Sequence, residues 1–94
     1  MTTELKDKVY IVTGGSKGFG LAIAKSLVGK GARVGLLSRN KAGLEQAIAE
    51  IGSDHALGSS ADVAHKDDLA VAFQQITDRF GRRDGLVNNA GMAI

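Results

Sequence analysis

Lys8 to Thr13 (KVYIVT) places apolar side chains on both faces of a pleat, the pattern of a strand buried in a parallel sheet. From Gly18 the period lengthens. Phe19, Ile23 and Leu27 recur at i, i+4 and i+8, with Ala22 and Ala24 small enough for close packing, which predicts a helix. Gly29 and Gly31 end it, Gly31 in the place of a left-handed cap. Arg33 to Leu37 (RVGLL) reads as a second strand. Asn40 suits the N-cap of a second helix, with Leu44, Ala47, Ile48 and Ile51 on one stripe and Gly52 closing it. His55 to Ser60 (HALGSS) is a third strand of low hydrophobicity. Asp67 and Asp68 favour a helix start through the dipole, and Leu69, Phe73, Ile76 and Phe80 form that helix's apolar face. Gly81 caps it, and Gly85 to Asn89 (GLVNN) gives a fourth strand.

The resulting order, β-α-β-α-β-α-β with short connections, requires crossovers in a parallel sheet. Right-handed crossovers put the first two helices on one face. If the chain then crosses back past strand one, the strand order becomes 3-2-1-4 and the third helix covers the other face. That is half of a doubly wound α/β sheet of Rossmann type. Residues 1–94 are expected to form one truncated dinucleotide-binding domain.

Composition narrows the choice of function. Hydrophobic residues at 44% and charged residues at 23% describe an ordinary globular chain rather than a disordered one. No apolar run approaches the roughly 18–20 residues of a membrane span. The N-terminus, MTTELKDKVY, carries two acids and two lysines where a signal peptide needs its apolar region. Without cysteine there is neither a disulfide scaffold nor a thiolate metal site. A cytoplasmic location is expected. Twelve Lys/Arg stand against ten Asp/Glu, and the only adjacent basic pair is Arg82–Arg83, which argues against nucleic acid as a partner. Of the four aromatics (Tyr10, Phe19, Phe73 and Phe80), three fall at core-like positions. Glycine is the unusual residue: thirteen in 94, about twice the ~7% norm.

Several of those glycines fall in TGGSKGFG, Thr13 to Gly20, between the first strand and the first helix. Glycines alone could make an ordinary turn. With a strand before and a helix after, they suit a dinucleotide. Gly14 permits the tight turn, Gly18 removes the Cβ where a pyrophosphate approaches, and Gly20 lets the helix pack on the strand. The helix N-terminus offers free N–H donors and partial positive charge. A Walker loop would need Gly-Lys-Ser/Thr, which is missing.

The spacing Gly-x-x-x-Gly-x-Gly, followed by Ala61-Asp62-Val63 and by LVNNAG at Leu86 to Gly91, resembles the classical short-chain dehydrogenase/reductase family. The resemblance covers essentially the whole chain. It implies that Gly14, Ser16, Lys17, Gly18, Phe19 and Gly20 line phosphates and ribose. Asp62 and Val63 would meet adenine, and Asn89, Ala90 and Gly91 the ribose and nicotinamide side. Asn88 is implied to tie strands together. At the end of the second strand the sequence reads Leu37-Ser38-Arg39-Asn40, with Ser38 where NAD sites usually place an acid. Ser38, Arg39 and Asn40 are the cofactor-binding candidates at this strand end. Arg39, with Lys17, would meet a 2′-phosphate, so NADP(H) is the expected cofactor; a solvated surface arginine is the alternative.

The family's catalytic serine and Tyr-x-x-x-Lys are not among these residues. The one tyrosine, Tyr10, has Gly14 where the lysine would stand. His55 and His65 share no helical face, and the neighbouring Asp67 and Asp68 diverge. No catalytic or metal-binding residue is therefore assigned, and cofactor binding is expected to be weak. Two readings stay open: the NADP(H)-binding N-terminal part of an oxidoreductase, inactive alone, or a non-catalytic nucleotide-binding or self-assembling module. A homodimer is expected through the fourth-strand edge at Leu86, Val87 and Asn88, with a two-fold axis either normal to the sheet or parallel to the strands.

Overall fold

The computed structural model describes residues 4–14, 16, 18–62 and 64–89. Along them run β1 (Val9–Thr13), α1 (Gly18–Gly29), β2 (Arg33–Ser38), α2 (Lys41–Ile51), β3 (Ala56–Ser60), α3 (Lys66–Phe80) and β4 (Gly85–Asn88). All strand pairs are parallel, in the order β3-β2-β1-β4. This is the expected α/β architecture and order. The strands begin or end one residue inside the expected limits at Lys8, His55 and Asn89. Lys8 and His55 only lend a carbonyl to the neighbouring strand, accepting from Arg33 N at 2.8 Å and from Val34 N at 2.9 Å.

Alternation along the strands builds two cores. Val12, Val34, Leu36 and Ala56 face Ala24 of α1 and Leu44 and Ala47 of α2. Val9, Ile11 and Leu37 face Ala72 and Ile76 of α3, with Leu69, Phe73 and Phe80 packed around them. Because β1 and β2 are covered on both sides, their sequences must be apolar at nearly every position. Close approach is built in. A Cβ at Gly35 of β2 would lie 2.6 Å from Ile76 Cγ1, so the missing side chain is what lets α3 settle on the sheet.

The stripe expected on α1 is corrected. Gly20 and Ala24 are buried, with Leu21, Leu27 and Val28 packed beside them, whereas Phe19 is 65% exposed. Ala24 and Leu27 of the expected face do pack on the core, while Phe19 and Ala22 point outward, because Gly20 has to turn towards the end of β1. Tyr10, Phe73 and Phe80 are only half-buried, so no aromatic is fully enclosed. The helix ends behave as expected. Asn40 caps α2 by accepting from Gly43 N at 3.0 Å. Gly31 (φ +98°) closes α1 in a Schellman arrangement: Ala32 N donates to Leu27 O at 3.1 Å and Gly31 N to Val28 O at 3.0 Å. Gly81 closes α3 with φ +83°.

Asp84 anchors β4. Its N–H donates to Val9 O (2.7 Å) while its Oδ2 accepts from Val9 N (2.8 Å), and its Oδ1 takes Arg82 Nη2 at 2.6 Å. The Arg82 guanidinium, and then the Val9 N–H, hold this carboxyl below its ordinary value of 3.8. A carboxyl depressed in the folded state contributes stability that is complete above its unfolded value. That contribution is lost as pH falls through the folded value. Asp84→Asn should therefore be less stable than the parent at neutral pH, with the difference shrinking as the pH falls below the ordinary carboxyl value of 3.8 and through the lower folded value. Urea midpoints across that range measure it; a difference independent of pH would contradict the assignment.

Candidate functional site

The strand order reverses at β1, which pairs with β2 on one side and β4 on the other. Ligands of open α/β sheets bind outside the carboxyl ends of the strands at such a point. Here the chain leaves β1 through Gly14 (φ +65°) and enters α1 at Gly18 (φ +60°). Gly14 N donates to Leu37 O at 2.8 Å, which ties the start of the loop to β2. A Cβ on Gly18 would meet nothing within 4 Å, whereas one on Gly20 would collide with the Gly14 carbonyl and lie 2.9 Å from Asn89 Nδ2. Gly18 is thus open to an arriving group and Gly20 is closed by the protein itself. The open glycine beside the N–H groups of the α1 N-terminus suits an anion.

Thr13 joins the two sides. Its Oγ1 lies 3.1 Å from Asn88 Oδ1 and 3.3 Å from Val87 O, and accepts from Asn89 N at 2.8 Å. Asn89 Nδ2 reaches Gly14 O at 3.5 Å. One hydroxyl therefore fixes the end of β4 against the glycine loop. Thr13 was not among the residues singled out from the sequence, although its place before Gly14 was the available signal.

At the end of β2, Ser38 Oγ accepts from Asn40 N at 3.0 Å and shares a hydrogen bond with Ser16 Oγ at 3.1 Å. Asn40 is engaged as the α2 cap. Arg39 is 79% exposed, with its Nη1 3.9 Å from Asp62 Oδ2. Asp62 lies just beyond β3; its Oδ1 accepts from Ala64 N at 2.9 Å, and its own N–H donates to Asp68 Oδ2 at 3.1 Å. Gly14, Ser38, Arg39 and Asp62 thus come together around a cleft of about 470 Å³. Phe19 stands exposed on the first turn of α1. Lys17, Val63, Ala90 and Gly91 lie outside the described residues. Among the described residues no group of three or more His, Asp or Glu is placed to hold a metal ion, and no helix is long and apolar enough to cross a membrane.

Together, the parallel sheet, the switch point and the glycine loop define the first half of a doubly wound α/β fold. Residues 8–94 match the family described as short chain dehydrogenase. The human 3-oxoacyl-[acyl-carrier-protein] reductase is 41% identical over 86 residues, which cover 92% of this chain and 36% of that protein. The 3-ketoacyl-(acyl-carrier-protein) reductase of Brucella melitensis, solved in complex with NADH, superposes with a TM-score of 0.85 at 38% identity, covering 88% of this chain and 34% of that one. The C-domain of a bacterial malonyl-CoA reductase, solved with NADP, gives a TM-score of 0.89 at 31% identity over 97% of this chain and 16% of that one. The chain belongs to the short-chain dehydrogenase family. It corresponds to the N-terminal part of that fold and spans little more than a third of the length of the human reductase.

Thr13→Val keeps the shape of the side chain and removes the hydroxyl. It should cost about 1 kcal/mol, since the half-buried Asn89 amide loses its acceptor. Hydrogen exchange should speed up at Asn89 and far less at the amides of β2; unchanged protection at Asn89 would contradict this role.

Proposed function

We propose that these residues bind NADP(H) as the nucleotide-binding part of a short-chain oxidoreductase. The observation that carries the reading is Arg39, exposed at the end of β2 and lining the cleft, next to Ser38 where NAD sites usually place an acid. The two structural neighbours described above hold NADH in one case and NADP in the other, so they favour a nicotinamide dinucleotide without choosing between the two.

In this reading Gly14, Ser16, Lys17, Gly18, Phe19 and Gly20 take the phosphates and the adjoining ribose. Gly18 supplies the open approach, and Gly20 keeps the helix N-terminus close. Asp62 and Val63 receive the adenine, Asp62 being held in place by Ala64 and Asp68. Asn89, Ala90 and Gly91 are assigned to the nicotinamide side. When bound, the cofactor supplies or accepts a hydride at its nicotinamide ring. These residues take the binding role alone, because the serine and Tyr-x-x-x-Lys by which the family moves the proton are not among them. Affinity is expected to be weak without the lysine contact to the nicotinamide ribose.

A bidentate, charge-assisted contact from Arg39 to a 2′-phosphate is worth on the order of 1.5–3 kcal/mol, or roughly 10- to 150-fold in affinity. Exposure allows salt to screen it, so the preference should narrow as ionic strength rises. Arg39→Asp should abolish it, removing the guanidinium and placing a carboxylate beside the phosphate. Paired titrations with 2′-phosphorylated and plain adenosine nucleotides test this. Equal affinities in the parent chain, or no change on substitution, would overturn the reading.

We also propose that the outer edge of β4 pairs with a second copy of the chain. β4 bonds only to β1 among the described strands, and Leu86 is 54% exposed on it. Such an edge is a template for another strand, and a two-fold pair is the simplest closure. Light scattering over a concentration series should show a dimer; a folded monomer at high concentration would exclude it.

A further inference from the structure

Asp62 Oδ2 faces two cationic or potentially cationic groups at once: His65 Nδ1 at 3.5 Å and Arg39 Nη1 at 3.9 Å. The other carboxylate oxygen is taken by Ala64 N. We propose that His65 is a positioning residue for 2′-phosphate recognition, acting through the carboxylate that it shares with Arg39. The proposal rests on the NADP(H) reading above and adds a residue that the family's glycine, Asp-Val and Asn-Ala-Gly motifs do not contain.

His65 is free to play this part. It precedes α3 in the N-cap position (φ −109°, ψ 113°), yet its side chain makes no capping bond and is 69% exposed. The helix start does not need the imidazole. The charged groups around it are Asp62 in its own loop, Arg39 across the cleft, and Lys66, Asp67 and Asp68 in the first turn of α3.

Histidine changes charge between about pH 5 and 8. While His65 is neutral, Arg39 is the one cation that the Asp62 Oδ2 faces among these groups. Once protonated, His65 pairs with the same oxygen. Arg39 is then held less tightly, and one more positive charge stands at the rim. Both effects favour a doubly charged phosphate, so binding of a 2′-phosphate takes up a proton at His65. By linkage, lowering the pH tightens that binding relative to a chain lacking the imidazole.

The probes are adenosine 2′,5′-bisphosphate and 5′-AMP, titrated calorimetrically at low salt at about pH 5.5 and pH 8 on the parent, His65→Gln and His65→Lys. The ratio of the two affinities removes effects common to the adenosine and its 5′-phosphate. Comparison between chains at one pH removes the titration of the ligand itself. At the lower pH the parent should exceed His65→Gln in this ratio by roughly threefold, the size of a water-screened interaction between exposed charges at the rim. At the higher pH the two should coincide, while His65→Lys keeps the gain at both. A parent that prefers the bisphosphate but matches His65→Gln at both pH values overturns the role of His65 and leaves the NADP(H) reading standing. No preference for the bisphosphate at either pH overturns both. A gain of equal size for 5′-AMP also overturns the proposal, since the charge would then act on the 5′-phosphate.

Discussion

Helix α1 can lie against the end of β1 only because residue 20 has no side chain. A Cβ there would fall on the Gly14 carbonyl and within 2.9 Å of Asn89 Nδ2. Much follows from this one approach. It brings the N–H groups at the start of α1 over the carboxyl end of β1. It turns Gly20 and Ala24 towards the sheet and Phe19 away from it. It also brings Asn89 within reach of the loop, where its Nδ2 meets Gly14 O and its N–H meets Thr13 Oγ1. The loop, the helix and β4 are thereby positioned by the same few atoms.

The rest of the core obeys the same economy of size. Where helices meet strands, the contacts include Ala24, Ala47, Ala56 and Ala72, together with the bare backbones of Gly35 and Gly58. The largest fully buried side chains are aliphatic: Leu36, Leu37, Ile76, Val9, Val12 and Val34. Small residues let the layers approach, and β-branched and leucine side chains fill the remaining space in few rotamers. Such a core resists enlargement more than it needs bulk. The cost of adding atoms at Gly35 would fall on Ile76, hence on the seating of α3 and of the loop that carries Asp62 at its start.

The strand order and element types were legible in the sequence because periodicity and glycine punctuation agreed. The outward turn of Phe19, with Gly20 buried in its place, was not. Phe19, Ile23 and Leu27 make a better apolar stripe by hydropathy than Gly20, Ala24 and Val28, and periodicity counts carbon without knowing what must touch the strand. Asp84 was equally hidden. A lone acid before a strand carries no local signal that it will hold Val9, 75 positions away. At the site, Ser38, Arg39 and Asp62 were found by motif and come together around one cleft. Thr13 and His65 were not singled out for the site, because each acts through a neighbour brought close only by the folded sheet.

The cleft separates two kinds of interaction. Neutral groups set the backbone: Ser16 with Ser38, Ser38 with Asn40, and Asn40 with Gly43 link the glycine loop, the end of β2 and the start of α2. Charged side chains stand around the rim, where Arg39 and His65 are mostly in water and share the Asp62 carboxylate. Short hydrogen bonds between neutral groups are little affected by ionic strength, while exposed charge is screened by it. Exposed ion pairs also add little to stability. The shape of the cleft therefore does not depend on the charges that would discriminate among ligands. Those charges can be exchanged without disturbing the frame, because the bonds that set it are made by neutral groups.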